Sequence, residues 1–210
     1  MDRLDAWGPA VTGRYIVIEG IDGAGKTRLV DELIGRLALL RCFAVGVREP
    51  SDTYLGDLLL DVQYRDDLDV SPLVRSYLYA ADRLDLMEKV IRPSVDRGDW
   101  VISDRSYYST LAYQVYGAGG DIAHIYRIVN PSLLVRPDLI ILLDVSLATS
   151  QDRAMTPPDK AYRMDKVADG YRRLALTSDR WYSVDANYPF DQVAARVMAT
   201  LIGRFPELNG

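Results

Sequence analysis

The sequence predicts an α/β fold, a five-stranded parallel sheet with helices on both faces, and three observations predict it. Short β-branched or apolar runs alternate along the chain with segments whose apolar residues recur at helical spacing. One of those runs, Asp138–Asp144, is almost entirely apolar inside, as a strand covered on both faces must be. The first run leads straight into GIDGAGKT, Gly20–Thr27, a glycine-rich turn between strand and helix. That context is what the GxxxxGK[ST] phosphate-binding pattern requires.

The first strand is read at Tyr15–Glu19, and the helix after the loop carries Leu29, Val30, Leu33 and Ile34. Gly20, Gly23 and Gly25 let the backbone turn its N–H groups inward, with Ile21, Asp22 and Ala24 completing a concavity for the phosphates of ATP. The helix N-terminus adds its positive dipole end. Lys26 is placed to reach the β- and γ-phosphates, and the Thr27 hydroxyl to ligate Mg²⁺.

The second strand is read from Cys42 to Val47 and delivers Arg48-Glu49-Pro50 at its carboxyl end. Ligands of a parallel sheet lie beyond those ends, so Arg48 either meets an anion or is a surface arginine. Ser51-Asp52-Thr53 can cap a helix through Leu60, and Tyr64–Asp69 is a polar loop. Ser71 and Pro72 then open a long helix, which Pro93 should kink or end before Gly98 closes the segment. Arg75, Tyr79 and Arg83 are four apart and share a face, suited either to a nucleotide or to solvent.

The third strand, Trp100–Arg105, ends in Asp104, an acid placed to hold the Mg²⁺ shell, with Arg105 beside it facing phosphate. A helix from about Ser106 carries Ser109, Tyr113 and Gln114 and breaks at Gly117, Gly119 and Gly120; a further piece spans Asp121–Val129. After the fourth strand, a helix runs to about Arg153. A loop holding Pro157-Pro158 follows, then a helix from about Tyr162 to Leu176, a fifth strand at Trp181–Asp185 and a last helix at Phe190–Ile202.

Composition bounds the rest. The chain has 210 residues, enough for one domain with a real core. Its formal net charge of −5 argues against a broad nucleic-acid-binding face. One cysteine, Cys42, and one histidine, His124, suit a reducing cytoplasm and leave no His-rich metal site. No apolar run is long enough to span a membrane. Residues 1–14 are read as a loosely held extension, and residues 15–210 as a single P-loop domain with a short loop at about 154–162.

Taken together, "EGIDGAGKT", "REP" at Arg48–Pro50, "YAADR" at Tyr79–Arg83, "DRSYYSTLAYQ" at Asp104–Gln114, "RPDLIILLDV" at Arg136–Val145 and "DKVADGYRRLA" at Asp165–Ala175 resemble the thymidylate kinases in order and spacing. These belong to the P-loop nucleoside monophosphate kinases, so the resemblance implies a three-layer P-loop NTPase fold, ATP as donor with Mg²⁺, dTMP as acceptor, and a homodimer. It implies that Asp22 meets the acceptor's 3′-hydroxyl, and that Arg48 and Arg105 hold its phosphate. Tyr79 sits where an aromatic stacks on thymine and Arg83 where an arginine bonds the base edge. Ser109 and Gln114 lie near base and sugar, and Tyr113 packs against the deoxyribose.

The chain departs from that pattern at two places. "REPGGT" of many relatives is "REPSDT" here, and a lid of about twenty residues shrinks to Ala154–Tyr162. The P-loop has Gly23-Ala24 and no arginine, so the lid's catalytic cation must be Arg153, Arg163 or Lys160, with Arg153 preferred and Arg163 second. A kinase for another nucleotide or deoxynucleoside is the nearest alternative. A guanine-nucleotide switch would need an NKxD motif, which does not occur. A degenerate kinase kept as a binding partner is opposed by the intact Lys26, Thr27, Asp104 and Arg105.

Overall fold

A computed structural model describes residues 13–65, 69–129, 134–154 and 161–209. The strands β1 (Arg14–Glu19), β2 (Ala44–Arg48), β3 (Trp100–Asp104), β4 (Leu139–Asp144) and β5 (Trp181–Asp185) form one sheet in the order β2-β3-β1-β4-β5. Every pairing is parallel. The chain leaves β1 toward β2 and leaves β3 toward β4, so the order reverses between the neighbours β1 and β3. A crevice opens beyond the carboxyl ends of strands at such a point. The register brings the ends level: Ile18 pairs with Asp104, and Arg48 pairs with Asp104 from the other side. The P-loop, the "REP" turn and the Asp104-Arg105 pair therefore leave the sheet at one height.

Helices surround the sheet: α1 (Lys26–Leu39), α2 (Tyr54–Tyr64), α3 (Pro72–Leu86), α4 (Arg92–Asp96), α5 (Tyr107–Thr110), α6 (Ile122–Val129), α7 (Leu147–Arg153), α8 (Met164–Ala175) and α9 (Phe190–Arg204). The apolar stripes of α1 and α9 face the core, whereas Leu73, Tyr77 and Leu84 of α3 are exposed. Leu29, Val30, Leu33 and Leu37 of α1 are buried, as are Val193, Ala194, Val197, Met198 and Leu201 of α9. Thr53, Ser71, Ser106 and Ser146 cap α2, α3, α5 and α7, each accepting a backbone N–H on its side-chain oxygen.

Boundaries differ from the sequence reading where backbone geometry outweighs composition. β2 begins at Ala44 and not Cys42, after Arg41 turns the chain at φ 57°. α8 begins at Met164, leaving Tyr162 outside it and Arg163 as the N-cap residue. Pro93 does not end its helix. A π-helical turn, Met87–Ile91, joins α3 to α4, and Pro93 falls in the first turn of α4, where a missing N–H costs no α-helical bond. Gly98, at φ 91°, closes the segment as read. A second π-helical segment, Leu111–Gly117, continues α5 and carries Tyr113 and Gln114.

The core lies on both faces of the sheet, with Ile16, Val17, Ile18, Ile102, Leu139, Ile140 and Ile141 inaccessible to solvent. At its amino end Trp100 meets Phe205 edge-on, ring centroids 5.2 Å apart. Arg14 bridges Asp138 at 3.3 Å and Glu207 at 2.7 Å, tying the C-terminal turn to β1. Residues 1–12 of the expected extension lie outside the described residues. Trp100→Ala should cost about 3–5 kcal/mol, since it empties the largest buried site and removes the aromatic contact. Urea unfolding checks this, and a loss below about 1 kcal/mol would show that the site collapses freely.

Candidate active site

A cleft of about 1190 Å³ lies beyond the carboxyl ends of β1 and β3. Its floor is the P-loop. Gly23 is at φ 73°, and a Cβ there would lie 2.2 Å from the Ser150 carbonyl oxygen, so only glycine fits. Ser150 on α7 also donates its hydroxyl to the Asp22 carbonyl at 2.7 Å. The loop is thus seated on α7 as well as on α1.

Lys26 is buried, and its Nζ donates to the Ile21 carbonyl at 2.9 Å across the loop. Burial and then the nearby Arg105 charge pull its pKa down to about 8, against the pull of Asp104, Asp22 and Glu19. The Thr27 hydroxyl donates to Asp104 Oδ2. Asp104 Oδ1 is buried with no partner among the described residues. A hydroxyl beside a carboxylate with a spare oxygen is the donor set that Mg²⁺ uses when phosphates and water fill its other positions.

Arg105 faces the P-loop from the end of β3. It is a non-glycine residue at φ 79°, the left-handed region that costs a side-chain-bearing residue strain. Nη2 reaches Asp22 and the Tyr113 hydroxyl, and Nη1 reaches the Gly20 carbonyl, Ser109 and the Tyr171 hydroxyl at 3.2–3.3 Å. Burial works to lower its pKa, but Tyr113, Asp22, Tyr171 and Asp104 outweigh it and hold the guanidinium firmly charged. Tyr113 donates to Asp22 Oδ2 at 3.2 Å.

Farther along, Arg48 is exposed and paired with Asp52. The Tyr79 hydroxyl donates to Gln63 at 3.0 Å. Both line the cleft. Arg83 is 2% exposed and does not line it. Its Nε and Nη2 grip the Glu49 carboxylate at 2.7–3.1 Å and Nη2 meets Thr110 Oγ1 at 2.8 Å, while Nη1 is buried with no partner among the described residues. Gln114 gives its Nε2 to the Tyr162 hydroxyl at 2.7 Å and leaves Oε1 buried with no partner among the described residues.

At the opposite end the cleft is walled by Arg28, Ala186, Tyr188, Phe190 and Val193. The Arg28 guanidinium stacks 3.7 Å from the Phe190 ring centroid. Arg153 lines this end and donates to the Ala186 carbonyl at 2.7 Å. Arg163 is outside the lining, exposed and bonded to Asp165 at 2.9 Å. Lys160 lies outside the described residues. The structure thus gathers Asp22, Lys26, Thr27, Arg48, Tyr79, Asp104, Arg105, Ser109, Tyr113, Gln114 and Arg153 around one cleft. It adds Glu19, Glu49, Thr110, Tyr162 and the Arg28–Phe190 pair, which no spacing in the sequence singled out.

A P-loop facing a second, arginine-bearing loop across a cleft with room for two ligands defines a P-loop phosphotransferase. Comparison with known proteins makes this specific. The thymidylate kinase family model matches residues 18–197. A thymidylate kinase of Synechococcus sp. (strain CC9605) is 38% identical over 207 residues, covering 91% of this chain and 96% of that one. Those of Synechococcus sp. (strain CC9311) and Legionella pneumophila (strain Corby) are 36% and 33% identical, over 91% and 95% of this chain and 97% and 99% of theirs. The chain belongs to the thymidylate kinase family.

The buried Arg83–Glu49 pair makes a distinct prediction. Arg83→Met should destabilise the fold by about 3–5 kcal/mol, because Glu49 is left as an uncompensated buried charge. Adding Glu49→Gln should recover part of that loss in urea melts.

Proposed function

We propose that this cleft holds ATP over the P-loop and dTMP on the Arg83–Gln114 side, so that the two phosphates meet at Lys26 and Arg105. The chain is an ATP-dependent phosphotransferase that converts dTMP to dTDP. A phosphate oxygen of dTMP attacks the γ-phosphorus in line, and the bond to the β-bridging oxygen of ATP breaks, releasing ADP. The acceptor is already an anion, so no general base is needed. The protein's work is to position two anions and offset their charge.

One observation supports thymine over cytosine as the acceptor's base. Among the described residues, Gln114 Oε1, an acceptor on the cleft wall, and Arg83 Nη1, a donor buried just behind that wall, have no partners. A base with a C4 carbonyl and a protonated N3 satisfies both, whereas cytosine presents the reverse pair. Buried polar groups left unpaired reject the wrong ligand strongly.

In this reading Lys26 and Arg105 neutralise the phosphates, Arg48 joins them on the acceptor side once released from Asp52, and Asp22 receives the 3′-hydroxyl. Tyr79 stacks on the base, and Tyr113 leaves no space for a ribose 2′-hydroxyl. Thr27 and Asp104 would hold Mg²⁺, which would supply positive charge to offset that of the phosphates. The Arg28–Phe190 end receives the adenine. Arg153, the described lid arginine that lines the cleft, supplies the cation the P-loop lacks. A homodimer would pair the exposed Leu73, Val74 and Tyr77 of α3 and Ile122 and Tyr126 of α6 with their copies. No described helix is long and apolar enough to cross a membrane, and a cytoplasmic enzyme fits the lone cysteine.

A coupled ADP-release assay should show dTMP turned over well ahead of dCMP, dAMP, dGMP and the ribose analogue of dTMP, with equal rates for purine acceptors as the contrary result. Lys26→Met should lose at least about a hundredfold in turnover. Lys26 also sets a pH limit. Its charge is present below about pH 8 and lost above it in the free enzyme. With both nucleotides kept well below their KM, the rate should therefore fall as pH rises through about 8, and Lys26→Arg should abolish that limb.

A further inference from the structure

Glu19 is the last residue of β1, immediately before the P-loop, and it is inaccessible to solvent. Both carboxylate oxygens are used. Oε1 accepts from the Ser106 hydroxyl at 2.7 Å, and Oε2 accepts from the Ser109 hydroxyl at 2.7 Å. Those serines stand one and four residues after Arg105, so a single carboxylate grips both ends of the turn that follows it.

Counting hydrogen-bond capacity fixes what each hydroxyl does. A serine hydroxyl has one proton and two lone pairs. Ser109 gives its proton to Glu19, accepts from Arg105 Nη1 at 3.2 Å, and is left to accept from the Tyr171 hydroxyl at 2.7 Å. Nothing remains for a substrate. Ser106 likewise gives its proton to Glu19 and accepts from the Tyr108 N–H at the start of α5. Because a carboxylate only accepts, it forces both hydroxyls to donate toward it and turn their lone pairs away, toward Arg105 in one case and the helix start in the other. The Arg105 backbone is held in the same way, its N–H donating to the Ile18 carbonyl at 2.9 Å and its carbonyl accepting from Ser103 at 2.7 Å.

We propose that Glu19 is a positioning residue for the transfer reaction: through Ser109 and Ser106 it holds Arg105 in its left-handed backbone and aims the guanidinium across the cleft at the P-loop, and Ser109 belongs to this support and does not touch the acceptor. This rests on the reading of Arg105 as the arginine that meets the acceptor's phosphate. A glutamine at position 19 has the same shape but brings an NH₂ group against a serine whose only proton already points there. One hydroxyl must then rotate, and Arg105 loses both its lone-pair partner and a nearby buried anion.

The test is a double-mutant cycle in the full-length enzyme. Glu19→Gln and Ser109→Ala are each made alone and with Arg105→Lys, and read by kcat, by KM for dTMP and ATP, and by calorimetric dTMP affinity. Each single change should lower kcat/KM for dTMP about tenfold and weaken dTMP binding, with KM for ATP moving by less than about twofold. With Arg105 already changed, each should cost less than about twofold, because its effect passes through that arginine. A residue that merely supports the fold would cost the same in both backgrounds, and that result overturns the proposal, as does undiminished dTMP affinity in Glu19→Gln. The acceptor reading fails separately, if the unmodified enzyme does not turn over dTMP. A crystal structure of Glu19→Gln still decides in that case: Arg105 displaced, or Ser109 rotated away from it, supports the positioning role, and an unchanged Arg105 and Ser109 refute it.

Discussion

Two cations that must share one cleft set the terms for the rest of this molecule. Lys26 and Arg105 repel each other, and burial alone would discharge the lysine. What keeps them together before any nucleotide arrives is a set of acids at the ends of the same strands: Glu19 ending β1, Asp104 ending β3, and Asp22 inside the P-loop. Asp22 feels both cations, which hold its carboxyl below the usual range although burial works to raise it. The parallel register makes this possible, since Ile18 and Asp104 are paired and their successors leave the sheet side by side. A polyanionic ligand entering the cleft meets cations already oriented, so little reorganisation is left for the reaction itself.

The fold was legible because its signals are local. Strand runs, helix stripes, serine and threonine caps and the Gly98 stop each depend on a few adjacent residues, and they sit where the spacing puts them. The failures are equally physical. Pro93 reads as a helix breaker only if the bonding pattern before it is α-helical. The π turn at Met87–Ile91 removes that premise, and nothing in the sequence announces it. The residues of the cleft were legible where a motif carries them, as in Gly20–Thr27 and Asp104-Arg105. Arg28 and Phe190, far apart in sequence, stack only because α1 and α9 lie together, and no periodicity links them.

Arg83 shows how position on a helix face underdetermines a role. Its spacing from Arg75 and Tyr79 suits either a nucleotide or solvent, and the fold places Glu49 under it. The same guanidinium is then a structural counter-ion through Nε and Nη2 and a candidate reader of the base through Nη1. Tyr162 was read as the start of a helix; outside it, the ring is free to pack edge-on against Tyr113, 5.2 Å between centroids, and its hydroxyl fixes the Gln114 amide. Tyr162 thus adds an aromatic to the wall of the cleft beside Gln114.

The contact between Gly23 and Ser150 has an evolutionary consequence. Any side chain at position 23 would run into the backbone of α7, so the lineage cannot acquire a P-loop arginine there by one substitution. The helix would have to retreat first, and a retreat without the arginine would loosen the seat of the loop while giving nothing in return. Each single step is uphill although the pair together need not be. Such a valley would separate a cation at position 23 from a cation placed across the cleft, where no backbone stands in the way of a single substitution at Arg153.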